Sequence, residues 1–347
     1  MSAGMSVSAL LTPWFQRRCV SFVLVCGSTI ALWVDLHLTF GQRKCIHKEH
    51  RFQKLQGICM NYHSPSSFAD AARIAAQATG ITRYLAGGTD VLVQMRAGAV
   101  TPDDIIDIKN IAGVHDISRT ADGGFVIGAA VSGAQMGAHA DLCAAWPGVV
   151  EGIELVGSTQ VQGRATLTGN LCNGSPAADS VPGLVAAGAV AQVVNASGTR
   201  DVPIEDIPAG PGRANLAKGD VIASITLPAR ATGGGDAYMR FTPRTEMDIA
   251  VVGCSISLTV DGDTITSARV ALGAVAPTVV LVPTAADAII GTSLDDAAID
   301  ALVAAVTAAA KPISDKRGSA EFRKDVVGVL AKRVAKKAYA RAKGEAV

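Results

Sequence analysis

Two stretches of this 347-residue chain combine residue types able to hold a polyanionic ligand. The first is Arg83-Tyr84-Leu85-Ala86-Gly87-Gly88-Thr89-Asp90-Val91. Adjacent glycines let a backbone turn tightly and approach a ligand closely. The free N–H groups of a following helix start attract anions, and Thr89 and Asp90 suit a helix cap. Taken alone, a strand–turn–helix with a Gly-Gly pair is more often an ordinary turn. The second stretch is Ala165-Thr166-Leu167-Thr168-Gly169-Asn170-Leu171, continuing through Cys172-Asn173-Gly174-Ser175-Pro176-Ala177-Ala178-Asp179. Small and polar residues dominate it, so it is not expected to pack a core. Its polar groups need other partners, which a long, buried, polar cofactor would supply.

Conventional catalytic machinery is not visible. The chain has no H-E-x-x-H, G-x-S-x-G, P-loop or G-x-G-x-x-G pattern. Its seven cysteines (Cys19, Cys26, Cys45, Cys59, Cys143, Cys172 and Cys254) form no C-x-x-C pair and no zinc or iron–sulfur spacing. A sparse, odd count fits free thiols in a reducing, cytoplasmic setting. Cys172 reads as a small buried thiol, and His115 and His139 read as surface or helix-end residues.

The elements that must position the two stretches read as a mixed α/β portion over residues 60–231. Helices are expected at Phe68–Thr79, Val91–Arg96, Ser132–His139 and Gly148–Leu155. Strands are expected at Arg83–Leu85, Asp104–Asp107, Phe125–Gly128, Val190–Asn195 and Val221–Leu227. Thr232–Gly235 is glycine-rich and reads as a linker. A smaller α+β portion, residues 235–343, follows. It has a hairpin, Val251–Val260 and Thr264–Gly273, then helices Leu294–Ala310 and Phe322–Lys343. The basic residues of the last helix read as a solvated face.

Hydrophobic residues make up 49% of the chain and charged ones 18%, enough apolar material for real cores. Residues 1–59 differ from the rest. They hold seven basic and two acidic residues, while the remainder holds 24 basic against 28 acidic. A mildly acidic body excludes the electrostatic footprint of a nucleic-acid binder. Cys19–Phe40 is largely apolar, but Asp35 and His37 weaken a membrane-spanning reading. Residues 1–59 are therefore read as an extension outside the fold, with a targeting segment or membrane anchor as the alternatives.

Together, the two stretches resemble the flavin loops of the FAD-binding medium subunits of the xanthine dehydrogenase and carbon monoxide dehydrogenase family. Met60-Asn61-Tyr62-His63-Ser64-Pro65 and Arg244-Thr245-Glu246-Met247-Asp248-Ile249-Ala250 resemble the same family, and the likeness runs from Met60 to about Ala342. It implies an α+β fold, with a two-subdomain FAD-binding domain of the PCMH type followed by a small flavoprotein C-terminal domain. Carried over, Arg83, Tyr84, Leu85, Ala86, Gly87, Gly88, Thr89, Asp90 and Val91 would line the FAD pyrophosphate. Thr166, Gly169 and Asn170 would contact its other side, with Cys172, Asn173 and Asp179 further along. Val156, Gly157, Val161, Ile222 and Arg240 match positions that also approach the cofactor. Thr168 departs from the family, which has glycine there. Either its φ is negative or its hydroxyl makes a contact of its own. Asp248 would serve either the domain junction or the flavin.

The resemblance also implies a partner holding a molybdenum cofactor, a second partner holding 2Fe–2S clusters, and assembly as a dimer of heterotrimers. This chain would pass electrons through FAD to an external acceptor. The alternatives are a self-sufficient FAD-dependent oxidase and a flavin-free structural subunit.

Overall fold

The computed structural model describes residues 60–244 and 247–345, with a short antiparallel pair, Val23–Leu24 against Leu32–Trp33. Apart from that pair, the expectations for residues 1–59 lie outside the described residues, as do Thr245 and Glu246. Among the described residues no helix is long and apolar enough to cross a membrane.

The body is α+β and rests on three larger sheets, beside a short antiparallel pair, Pro208–Gly210 with Arg213–Ala214. In the first, Asp104–Asp107 lies between Asn61–His63 and Thr82–Leu85, all parallel. It is buried along its length, as a central parallel strand must be. Its two end carboxylates are satisfied at the sheet margin: Asp104 by Asn61 and His63, Asp107 by Tyr62 and Lys109. The helix Phe68–Gln77, capped by Ser67, lays Ala71, Ala72 and Ala75 into a small core with Ile106, Ile108 and Val221. Alanines on that face allow the helix to approach closely.

The second sheet is antiparallel, in the order Ile117–Arg119, Phe125–Gly128, Val221–Leu227, Val190–Asn195, Gly198–Pro203. Ile225 sits opposite Ile127 on one side and Ala191 on the other, and all three are fully enclosed. The helices Pro147–Glu154 and Ser180–Ala187 complete this core. Ser180–Ala187 is buried on every face, which is why its sequence shows no amphipathic period. Gly188 ends it at φ +67°, and Arg269 donates to its last-turn carbonyl at Val185.

The third sheet is antiparallel: Gly234–Phe241, Val252–Asp261, Thr264–Gly273, Val280–Leu281. The helices Asp296–Ala309 and Ala320–Ala342 cover one face, contributing Ile299, Leu302, Val306, Val327 and Val334 to the core.

Three expectations need correction. Leu167–Cys172 is a helix, and Leu167 and Leu171, one turn apart, are both buried. The second stretch therefore does pack a core. Gly234 and Gly235 belong to a strand and not a linker. Gly235 is glycine because a Cβ would strike the Ala338 carbonyl and the Ala342 backbone of the last helix. The basic face of that helix is only partly solvated: Lys337 and Arg341 both reach Glu151 of Pro147–Glu154, at 2.7 and 2.6 Å, tying the third sheet's helix to the second core.

Gly235→Ala should lower unfolding free energy by about 1–3 kcal/mol by forcing the last helix off its strand, read as a lower urea midpoint with unchanged slope.

Candidate cofactor-binding site

The strand Thr82–Leu85 ends at Gly87-Gly88-Thr89-Asp90, which leads into the short helix Val91–Arg96. Gly88 has φ +78°, and its neighbour Gly87 packs on the backbone so tightly that a Cβ would collide with the Arg164 carbonyl. Both positions therefore require glycine. Among the described residues, the amides of Gly87, Gly88, Thr89 and Asp90 find no acceptor within the protein. A run of unpaired N–H groups across such a turn is an anion nest. The side chain of Asp90 makes no capping hydrogen bond to the helix that follows, contrary to its sequence expectation. Burial raises the Asp90 carboxyl above its ordinary range.

Thr166 starts the second element. Its Oγ1 accepts from the Gly169 amide at 3.0 Å, an N-cap. Thr168 lies inside the helix, so its φ is negative, and its Oγ1 donates to the Ala129 carbonyl at 2.6 Å. Both readings of the departure from glycine hold at once. Asn170 Oδ1 accepts from Ser180 Oγ at 2.7 Å, which leaves its Nδ2 as the available donor. Gln94 Nε2 donates to Asn173 Oδ1 at 2.9 Å and joins the two elements.

Between them lies a cavity of about 830 Å³. Its wall includes Arg83, Tyr84, Ala86, Gly87, Gly88, Thr89, Asp90, Val91, Val156, Thr166, Gly169, Asn170, Cys172, Asn173 and Ile222. Five expected residues are not on that wall. Leu85 lies beneath the loop, its side chain meeting the space a Gly88 Cβ would take. Val161 packs on Gly157, which holds φ +65°. Asp179 accepts from Tyr238 Oη at 2.7 Å and from Arg240 at 2.5 Å. Burial pushes that carboxyl up to about 6 against the pull of Arg240. Asp248 accepts from the Ile249 amide and pairs with Arg244, contacts that stay within its own segment.

Sequence reasoning missed the segment Leu216–Asp220, which also lines the cavity. It carries no motif, only Lys218-Gly219-Asp220 before a strand. Asp220 is held below the usual carboxylate range, chiefly by Arg200, with Asn195 and the Ala217 amide adding to it. Cys172 is exposed at the cavity and not the buried thiol expected; the protein packed around its sulfur pushes the thiol up to about 12, which disfavours the thiolate.

The wall fits a dinucleotide. It offers unpaired amides for phosphate and one free amide donor at Asn170. Two buried hydroxyls, Thr82 Oγ1 and Tyr84 Oη, have no partner among the described residues.

The comparisons agree with this geometry. Residues 53–230 match the family described as "FAD binding domain in molybdopterin dehydrogenase", and residues 237–338 match "CO dehydrogenase flavoprotein C-terminal domain". The carbon monoxide dehydrogenase medium chain of Afipia carboxidovorans is 31% identical over 82% of this chain and 98% of its own. The xanthine dehydrogenase FAD-binding subunit of Escherichia coli O157:H7 is 29% identical over 82% and 98%. A crystal structure of the cyanide-inactivated Cu,Mo-CO dehydrogenase superposes with a TM-score of 0.78 at 30% identity, covering 81% of this chain and 98% of that one. The fold and site thus define a flavoprotein. The chain belongs to the FAD-binding medium-subunit family of the molybdenum hydroxylases.

Two outcomes follow from the wall. Thr168→Val leaves the buried Ala129 carbonyl without its donor and should cost about 1–3 kcal/mol of stability, measured by urea unfolding. Asp220 has a depressed folded pKa, so its contribution is present above the unfolded value and lost as pH falls through the folded one. Asp220→Asn should therefore lower the urea midpoint at pH 7, and do so progressively less as pH falls below the unfolded value.

Proposed function

We propose that the cavity holds FAD and that the chain passes electrons through it, from the 2Fe–2S clusters of one partner subunit to an external acceptor. A second, larger partner would hold the molybdenum cofactor and oxidise the substrate. The observation that carries this reading is the set of unpaired amides at Gly87–Asp90, facing a dinucleotide-sized cavity in a chain of this family.

In this reading the Gly87, Gly88 and Thr89 amides hold the pyrophosphate, with Thr166, Gly169 and Asn170 on its other side. Val156 and Ile222 give the cavity apolar wall and exclude water. Leu85, Gly157 and Val161 support the loops from behind. Asp179, held by Tyr238 and Arg240, fixes the start of the helix whose Ser180 orients Asn170. FAD, when bound, accepts electrons singly and releases them in pairs. The protein's part is position and electrostatics, which is why no acid–base or nucleophilic set is needed here. Cys172, held neutral, stays out of the chemistry.

We further propose a two-domain division, 60–231 and 235–343, assembly as a dimer of heterotrimers, and a cytoplasmic location. The relatives named above as medium chain and FAD-binding subunit support the larger assembly.

The test is to co-express the chain with its partner subunits, release the chromophore by heat and identify it. Stoichiometric FAD in the wild type, lost in Gly87→Val, is the expected result. An assembled complex without flavin contradicts the reading.

A further inference from the structure

The third sheet turns a bare face toward the second cofactor element. Arg240, Gly253 and Gly273 stand opposite one another on three neighbouring strands, and residues so paired share a face. A Cβ on Gly273 would press on Pro182 at 3.0 Å, with the Pro176 carbonyl at 3.7 Å. One on Gly253 would strike the Tyr238 hydroxyl at 2.8 Å. Both glycines make room for what the sheet receives.

The segment received is the turn 173–179, which joins the helices Leu167–Cys172 and Ser180–Ala187. Inside it Ser175 accepts from the Ala177 and Ala178 amides. Its anchors come from outside. The Gly212 amide donates to the Gly174 carbonyl at 2.9 Å, and the Ala274 amide to the Pro176 carbonyl at 2.7 Å. Tyr238 Oη and Arg240 each hold one oxygen of Asp179, at 2.7 and 2.5 Å. Three of these four donors belong to the third sheet or to the residue that ends its strand Thr264–Gly273.

Two of the three are more specific than packing requires. Ala274 makes its bond from φ +62°, a conformation that an L-residue holds at a cost. Arg323 donates to its carbonyl at 3.1 Å, so the residue is fixed from both sides, as a strained position must be to persist. Tyr238 is buried, where a phenylalanine would fill the same space, and Arg240 alone supplies the opposite charge for Asp179. What the hydroxyl adds is direction: one donor on each oxygen fixes the rotation of the carboxylate as well as its place. The consequence reaches the cavity at both ends of the turn. Ser180, next to Asp179, donates to Asn170 on the wall, and Asn173 is itself on the wall.

We propose that Tyr238 and Ala274 are positioning residues for the cofactor: by fixing the turn at Asp179 and Pro176 they hold Asn170 and Asn173 in place, from a sheet that contributes no residue to the wall. Cofactor affinity is then coupled to the seating of the third sheet, and by linkage the bound cofactor tightens that seating. This rests on the reading of the cavity as an FAD site.

The test uses the full chain in its complex with partner subunits, stripped of flavin and titrated with FAD by calorimetry well below the melting temperature. Tyr238→Phe should weaken FAD about 5-fold or more, the lower end of such couplings. Gly253→Ala pushes the Tyr238 hydroxyl off Asp179 and should weaken FAD by a similar factor. The double variant should bind no worse than Tyr238→Phe alone, because without the hydroxyl the new methyl has room; losses that share one contact do not add. In the wild type, FAD should slow hydrogen exchange at the Ala274 amide, a readout that needs no variant to fold. A tyrosine that only filled space would lower the melting temperature of the flavin-free protein and leave the affinity of the folded protein unchanged, which overturns the proposal. Additive losses in the double variant, or an Ala274 amide indifferent to FAD, overturn it too. If the wild type takes up no FAD, the reading of the cavity fails and this one with it. If it binds FAD and the variants bind equally tightly, only the positioning role fails.

Discussion

The site depends on four backbone amides that the fold leaves unpaired. In a helix extended backwards, Gly87, Gly88, Thr89 and Asp90 would donate to the carbonyls of residues 83–86, but Gly88 at φ +78° and the seat of Gly87 on the Arg164 carbonyl prevent it. Unpaired amides in a folded interior are rare. They persist here because they face a cavity and not the core. The helix that follows has six residues, none of them buried, so it adds little field of its own. The binding power of the loop lies in its local geometry, which only glycine permits.

Around that constraint the rest of the structure acts as a frame. The parallel sheet sets the strand that ends in the loop. The second sheet brings Val221–Leu227 and the Leu216–Asp220 segment to the opposite wall. The third sheet contributes no residue to the cavity wall, yet it is coupled to it. Arg240 and Tyr238 hold Asp179, the next residue Ser180 orients Asn170, and Asn170 lines the cavity. Glu151, shared by Lys337 and Arg341, locks the last helix to the second core. The two halves of the body therefore meet through one buried charge pair, Arg240 with Asp179, and through the partly buried pairs of Glu151. In such contacts the loss of one partner leaves the other charge uncompensated.

Much of this was legible in the sequence where a single local rule decides the outcome. Val190–Asn195 and the Thr264–Gly273 hairpin follow from alternation and a Gly262 turn, and Val91–Arg96 from its position after Gly-Gly. The second stretch was misread as loop because Thr, Gly and Asn dominate it by count. What decided its structure was the i, i+4 pair Leu167 and Leu171 and the cap at Thr166. Gly235 was misread because the reason for glycine, the approach of the helix Ala320–Ala342, lies over a hundred residues away. Lys218 and Asp220 gave no signal at all, since their place at the wall is set by the second sheet's strand order. Leu85, Val161, Asp179 and Arg240 were placed near the cofactor by resemblance. The structure puts them one layer behind the wall, where they hold the residues that form it.

The most direct measurement is amide hydrogen exchange on the flavin-depleted complex before and after adding FAD. If FAD fills this cavity, exchange should slow at Gly87–Asp90 and at Thr166–Asn173, with the Ala320–Ala342 helix unchanged. FAD that binds without slowing the Gly87–Asp90 amides would contradict the account, because the anion nest would then have no role in holding the cofactor.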